Sequence, residues 1–233
     1  LRILITNDDG VDADGLDALV AVMKQEHDVT IVAPSGPRSE CSHTVETRRP
    51  LRVHRMAENT YAVDGFPADC VRLAMRAIFQ DQGGPKFDWV FSGINQGGNL
   101  GIDRYLSGTV AAAREAAVFG MPAIAFSHFI RREMPLDWPQ AASWAMAVWN
   151  QLKPGPPPPG YFWSVNFPHL PSGSPCPDIV TCVADNLPLD VQYTRTAPDT
   201  WQYSGSYPDR PASPERDTAV CFGGRIAQTL LSL

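Results

Sequence analysis

Apolar positions in the first two-thirds of the chain alternate between two patterns. Short continuous runs at Arg2–Thr6 and at residues 29–33, 89–92 and 123–127 predict strands buried on both faces. Between them lie helical stripes. Residues 15–26 put Leu16, Leu19, Val20 and Met23 on one side of a helix. Pro67 opens a second helix, on which Cys70, Val71, Ala74, Met75, Ile78 and Phe79 keep a period of about 3.6. Residues 107–119 and 138–152 predict two more helices. Residues 49–56 and 61–64 read as shorter strands, and residues 162–167 as a further one. Strands alternating with helices of this length imply βαβ units with right-handed crossovers, and hence a Rossmann-like three-layer α/β/α fold with a mainly parallel sheet. No internal repeat interrupts the pattern.

The pattern changes after residue 153. Of 22 prolines, 14 lie in the last 80 residues, and residues 154–159 are almost continuous proline. Short β segments are predicted at residues 191–195 and 200–203, linked by Pro, Ser, Asp and Gly. So proline-rich a stretch does not readily bury a core of its own, and is expected to wrap the first domain or a second subunit. The chain is expected to divide into a Rossmann-like domain, residues 1–170, and a β-rich extension, residues 171–233, that serves oligomerisation. Beyond about residue 170, Val191, Tyr193, Trp201, Tyr203, Tyr207, Val220, Phe222, Ile226 and Leu230 need burial, and a homodimer or a dimer of dimers would supply it.

Composition narrows the function class. With 233 residues, 44% of them apolar, and 22 aromatic residues counted over Phe, Trp and Tyr, the chain can bury a sizeable core. Its net charge of −6 is the wrong sign for a duplex nucleic-acid binder that works by phosphate neutralisation. No window approaches the roughly 20 apolar residues of a membrane span. The first residues turn acidic too soon for a signal peptide. Five cysteines without a C-x-x-C pair suit reduced thiols, and a cytoplasmic location is expected.

Candidate chemistry collects at the carboxyl ends of the strands, where open α/β sheets bind ligands. The first strand ends in Thr6-Asn7-Asp8-Asp9-Gly10. The second leads into a polar loop with Arg38, Ser39 and His43, and the strand at 89–92 runs into Ser92-Gly93-Ile94-Asn95-Gln96-Gly97-Gly98-Asn99. Asp8 and Asp9 are either a solvated turn or one side of a cation site. All the candidate ligands are oxygens, which favours Mg²⁺ or Mn²⁺ over zinc. Ser107-Gly108-Thr109 is either an ordinary helix cap or a phosphate cradle. The glycine loop at 93–101 carries neither dinucleotide nor P-loop fingerprint. His43 is a candidate acid/base group or a surface residue. The arginines at 48, 49, 52 and 55 read as the solvated face of an edge strand.

Taken together, Arg2-Ile3-Leu4-Ile5-Thr6-Asn7-Asp8-Asp9-Gly10, Arg38-Ser39, Val63-Asp64-Gly65-Phe66-Pro67-Ala68-Asp69, Ser92-Gly93-Ile94-Asn95, Gly98-Asn99-Leu100-Gly101, Ser107-Gly108-Thr109-Val110-Ala111-Ala112-Ala113 and Ser164-Val165-Asn166-Phe167-Pro168 resemble the SurE family of stationary-phase survival nucleotidases. The resemblance implies a metal-dependent phosphomonoesterase acting on nucleoside monophosphates at the 5′ position, with 3′-nucleotidase and polyphosphatase activity left open. It implies metal ligands at Asp8, Asp9, Ser39 and Asn95; with these, Asp8, Asp9, Asn95 and His43 are the expected catalytic residues. It also implies a tail exchanged between subunits of a dimer or tetramer, while Ser107, Gly108 and Thr109 are expected to bind the phosphate from their place at a helix N-terminus. Glu40-Cys41-Ser42 departs from the glycine-bearing stretch usual in the family before His43.

Two rivals remain on the residues alone. A haloacid-dehalogenase-type phosphatase needs a lysine at a strand end, and Lys24, Lys86 and Lys153 fall elsewhere. A non-catalytic metal- or nucleotide-sensing module would use the Asp pair only to hold an ion.

Overall fold

A computed structural model describes residues 1–84, 87–131, 133–189, 191–205 and 207–233 of the chain. The strands are β1 (Arg2–Thr6), β2 (Asp28–Pro34), β3 (Val53–Ala57), β4 (Thr60–Val63), β5 (Trp89–Gln96), β6 (Ala123–His128), β7 (Tyr161–Phe167), β8 (Ile179–Cys182), β9 (Tyr193–Ala197), β10 (Thr200–Tyr203) and β11 (Ile226–Ser232). Nine of them form one sheet in the order β3-β4-β2-β1-β5-β6-β7-β11-β8. The stretch from β4 to β7 is parallel throughout. Numbered along the chain, its six parallel strands lie in the Rossmann order 3-2-1-4-5-6. The order reverses between β1 and β5, which opens a crevice beyond their carboxyl ends.

Side-chain alternation in β1 explains the three layers. Ile3 and Ile5 join one core with α1 (Asp14–Met23) and the fourth helix in chain order, residues Trp138–Leu152, whereas Leu4 joins a second core on the other face. That second face is covered by α2 (Pro67–Arg76) and α3 (Gly108–Val118); the helix at 138–152 is α4. α3 is buried along nearly its whole length between the sheet and α2, and its run of alanines lets it sit close to both.

Some elements differ from the sequence pattern for identifiable reasons. The strand expected over 49–56 begins only at Val53, because Glu46 Oε1 accepts the backbone N–H groups of Arg48 and Arg49 in a turn and Pro50 has no N–H to offer. α2 stops at Arg76, although Ile78 and Phe79 still reach the second core through the turn that follows. β5 runs four residues past Ser92, carrying Asn95 and Gln96 to the crevice. Beyond residue 170 the chain returns to the sheet. β11 pairs antiparallel with β7, β8 pairs parallel with β11, and α5 (Asp217–Phe222) closes a third apolar cluster of Leu100, Phe129, Val220, Cys221 and Ala227. β9 and β10 form a separate two-stranded hairpin.

All five cysteines are free. Lys24 and Lys153 sit at the C-terminal caps of α1 and α4, away from any strand end, and Lys86 lies outside the described residues. No helix among the described residues is long and apolar enough to cross a membrane.

Candidate metal and phosphate site

The register Thr6 opposite Ser92 brings the Asn7-Asp8-Asp9-Gly10 turn beside the extended end of β5. Asn7 builds that turn, donating from Nδ2 to the Gly10 carbonyl at 2.7 Å and accepting the Gly10 N–H at 3.2 Å. Gly10 has φ of +109°, and a Cβ there would press against the backbone of Gly36 at 3.2 Å, so only glycine permits this approach. Asp9 Oδ2 accepts the Gln96 N–H at 2.9 Å, tying the two strand ends together. Asn95 Nδ2 donates to the Gly97 carbonyl at 2.8 Å, which leaves Oδ1 as the side chain's accepting end.

Asp8 is the most constrained of these groups. It is 5% exposed, and its Oδ1 accepts the Thr109 hydroxyl. The Thr109 backbone N–H also faces this carboxylate. A Cβ on Gly108 would lie 2.9 Å from Asp8 Cβ and 2.7 Å from Cys41 Sγ, so the first turn of α3 approaches Asp8 as closely as a missing side chain allows. Burial, with the Asp9 charge beside it, pushes the Asp8 carboxyl up to about 6. Burial raises Asp9 as well. Among the described residues no Arg, Lys or His forms an ion pair with either carboxylate. Two desolvated carboxylates without a basic partner, flanked by an amide and a hydroxyl, make an all-oxygen donor set that fits a hard divalent cation. Among the described residues no group of three or more His, Cys, Asp and Glu side chains gathers to hold a metal.

Ser107 caps α3 by accepting the Val110 N–H at 3.0 Å. With Val110 taken by the cap and Thr109 turned to Asp8, the Gly108 N–H is the first-turn donor left for another anion.

The loop holding Ser39, Cys41 and His43 is fastened by residues that bear no ligand of their own. Arg38 N–H donates to the Asp8 carbonyl at 2.7 Å, which sets Ser39, an exposed residue, one position beyond the turn. The Arg38 guanidinium reaches Asp64 Oδ1 and the Gly65 carbonyl, each at 3.2 Å. Buried Asp69 accepts the Phe66 N–H at the start of α2 and the Glu46 N–H at the loop's far end. The motif from Val63 to Asp69 therefore positions the loop. Cys41 is half-buried, and desolvation with the nearby Asp8 charge pushes its thiol up to about 11, which favours the protonated form.

The structure brings Asp8, Asp9, Asn95, Ser107, Gly108 and Thr109 to one crevice, with Ser39 on its rim. It does not turn His43 toward them. Both His43 ring nitrogens face α3: Nε2 lies 2.7 Å from Glu115 Oε2 and Nδ1 lies 3.4 Å from Arg114 Nη1. Glu115 is 2% exposed and also accepts from Arg72 Nε at 2.6 Å; these partners hold its carboxyl below the usual range. A lone acidic residue on the buried, alanine-lined face of α3 was the available signal for this cluster.

A family model described as survival protein SurE matches residues 3–197. A protein of Synechocystis named as a putative 5′-nucleotidase is 45% identical over 231 residues, covering 99% of both chains. One from Pelobacter propionicus named 5′-nucleotidase SurE is 40% identical over 181 residues, covering 78% of this chain and 71% of that one. The crystal structure of the SurE protein from Aquifex aeolicus superposes with a TM-score of 0.87 at 28% identity, covering 100% of this chain and 93% of that one.

Proposed function

The chain belongs to the SurE survival-protein family, and on that premise we propose that it is a metal-dependent 5′-nucleotidase worked by the Asp8–Asp9 turn and the first turn of α3. The observation that carries this reading is the buried, unpaired Asp8 carboxylate set against Gly108 at a helix N-terminus. A carboxylate pair attracts a cation and a helix N-terminus attracts an anion; a phosphate monoester with its divalent cation satisfies both. The arrangement also lets a protein of charge −6 recruit an anionic substrate locally.

Asp8, Asp9, Ser39 and Asn95 would hold Mg²⁺ or Mn²⁺. When bound, such a cation polarises a phosphoryl oxygen as a Lewis acid and offsets the two carboxylate charges. With only two of the four ligands charged, the site has no excess negative charge to repel a phosphate. Thr109 fixes Asp8 through its hydroxyl, while the Gly108 N–H and the Ser107 side of the helix end orient the remaining phosphate oxygens. His43 acts by position, pinning the 39–43 loop to Glu115. The substrate is a nucleoside monophosphate, and the working form is a homodimer or a dimer of dimers.

Phosphate release from a panel of nucleoside 5′- and 3′-monophosphates and polyphosphate tests the reading. Release from 5′-monophosphates with Mg²⁺ or Mn²⁺, lost in chelator and restored by metal, is expected. Full activity after thorough demetallation would remove the metal from the scheme. Mn²⁺ binding with no release from any nucleotide would leave a metal-sensing module instead.

A further inference from the structure

The loop from residue 97 to residue 107 joins the two halves of the site, leaving Asn95 at one end and delivering Ser107 at the other. Its backbone is held largely by side chains from outside it. Arg210 Nη2 donates to the Leu100 carbonyl at 2.7 Å, and Asp217 Oδ2 accepts the Gly101 N–H at 2.8 Å. Arg210 Nη1 pairs with Asp103 Oδ2 at 2.5 Å, and this pair is largely buried. Tyr207 Oη lies 2.7 Å from the same carboxylate oxygen and 3.0 Å from the Gly98 carbonyl; its one proton goes to the carboxylate, the stronger acceptor. The guanidinium of Arg210 stacks over the Tyr207 ring at 4.7 Å.

Two glycines of this loop lie against the same side chains. A Cβ on Gly98 would come within 3.1 Å of Tyr207 Oη, and one on Gly101 within 3.2 Å of Arg210 Nη2. Gly98 and Gly101, in a run that matches no nucleotide fingerprint, thus sit directly against the C-terminal segment, and Gly101 also adopts a φ of +55°.

Asp103 relays this hold to the site. Its backbone carbonyl accepts the N–H groups of Leu106 at 2.9 Å and Ser107 at 3.0 Å, and Ser107 is the cap of α3. The path runs from Arg210 and Tyr207 to the Asp103 carboxylate, through that residue to Ser107, and on to Gly108 and Thr109 against Asp8. We propose that Tyr207 and Arg210 are positioning residues for the phosphate-holding end of the site, setting through Asp103 where the first turn of α3 stands. The inference rests on the phosphatase reading for its kinetic consequence but not for its structural one.

The test uses the full chain with Mn²⁺ and compares Arg210→Ala, Arg210→Lys and Tyr207→Phe with the unaltered protein. A smaller folded fraction lowers Vmax and leaves KM alone, whereas a displaced phosphate cradle raises KM and the inhibition constant of inorganic phosphate. Arg210→Ala is expected to raise both by about tenfold, because small misplacements are costly at a reacting centre. Arg210→Lys should recover part of that loss, and Tyr207→Phe should cost about two- to threefold. Hydrogen exchange supplies the readout independent of activity: amide protection at residues 107–112 should fall in Arg210→Ala while that of β1 and β6 holds. KM, phosphate inhibition and exchange at 107–112 all unchanged in Arg210→Ala would overturn the proposal. If Arg210→Ala loses protection throughout, Tyr207→Phe decides, with unchanged KM and unchanged local exchange again overturning it. An unaltered protein inert on every nucleotide would sink the phosphatase reading alone, and the exchange result would still judge the clamp.

Discussion

On the face of β1 and β5 that α1 and α4 cover, the packing is apolar: Ile3, Ile5, Phe91, Phe126, Trp144 and Trp149 are all essentially buried, and Phe91 meets the rings of Trp89, Phe126 and Trp149. Between residues 183 and 217 the chain docks mainly through polar atoms. Asp217 Oδ1 accepts the Asp185 N–H at 2.7 Å, Asp185 accepts from Ser213, and Arg104 reaches the Asp185 carbonyl and Asn186. The first region is specified by volume and pattern, so side chains of similar size substitute for one another with modest loss. The second is specified atom by atom, and each lost partner strands a buried donor or acceptor. One region supplies stability and the other supplies geometry to the loop that carries the site.

The largest effect should come from the apolar region. Phe91→Ala is expected to cost about 3–5 kcal/mol in denaturant unfolding, by lost burial plus cavity. Asp217→Asn, which keeps volume and most hydrogen bonds, should cost no more than about 1–3 kcal/mol. A smaller loss at Phe91 than at Asp217 would reverse the comparison.

Next in size is the site itself. Asp9→Asn and Asp8→Asn each remove one charge at nearly constant volume, so folding should survive while turnover falls by about a hundredfold or more, roughly 2.7 kcal/mol. Asp8→Asn should also raise the melting temperature of cation-free protein, since it removes a desolvated carboxylate. Near-unaltered turnover in both variants at saturating Mn²⁺ would detach the pair from the chemistry.

Acidity separates the cation's contribution from the fold's. Asp8 is raised in the folded state to about 6 against an ordinary 3.8, so its contribution favours folding below about pH 4 and is lost as pH climbs through 6. Buried His128 works oppositely: held down to about 4 among aromatic rings, it costs stability as pH falls from its ordinary 6.5 toward that value. The two partly cancel in a simple melt, but the difference between melts with Mg²⁺ and with chelator isolates the carboxylates. That difference should be several degrees at pH 7.5 and near zero at pH 4. Equal gains at both would place the cation away from Asp8 and Asp9.

The two regions were also unequally legible in the sequence. Ile3-Leu4-Ile5 and the stripes of α1 and α4 are periodic signals, and the parallel sheet follows from them. Asp8, Asp9, Asn95 and the Ser107 cap were legible because they stand at strand and helix ends, where polar clusters have few structural uses. Glu115 was hidden because its partners His43 and Arg72 are 72 and 43 residues away in the chain. β8 and α5 were hidden because each is short, and β11 because it places Gln228 and Thr229, both buried polar residues, where an apolar run would announce a strand. The clamp on the 97–107 loop has no local pattern at all, since its bonds join residues more than a hundred positions apart.

The smallest effect on subunit stability is expected where the C-terminal segment leaves the fold altogether. Of the apolar residues that the sequence marks for burial there, Val220 and Ile226 are buried within the subunit, but Val191, Tyr193, Trp201 and Tyr203 stay more than half exposed. The hairpin register sets Tyr193 opposite Tyr203 and Arg195 opposite Trp201, so these four share one face. The two tyrosine rings meet edge-on at 5.8 Å, and Arg195 lies over Trp201. A two-stranded hairpin has no second layer to cover such a face. Aromatic and arginine side chains are also the residues that anchor protein interfaces. We propose that this face is buried against a second copy of the chain. Trp201→Ala should therefore change subunit unfolding by no more than about 0.5 kcal/mol while shifting light-scattering mass toward the monomer. Because binding a second copy stabilises the folded subunit, the first outcome is read at a concentration where the unaltered chain is dissociated. A clean monomer for the unaltered chain at micromolar concentration, or an unchanged assembly in a Tyr193→Ala, Trp201→Ala, Tyr203→Ala triple variant, would leave the hairpin without this role.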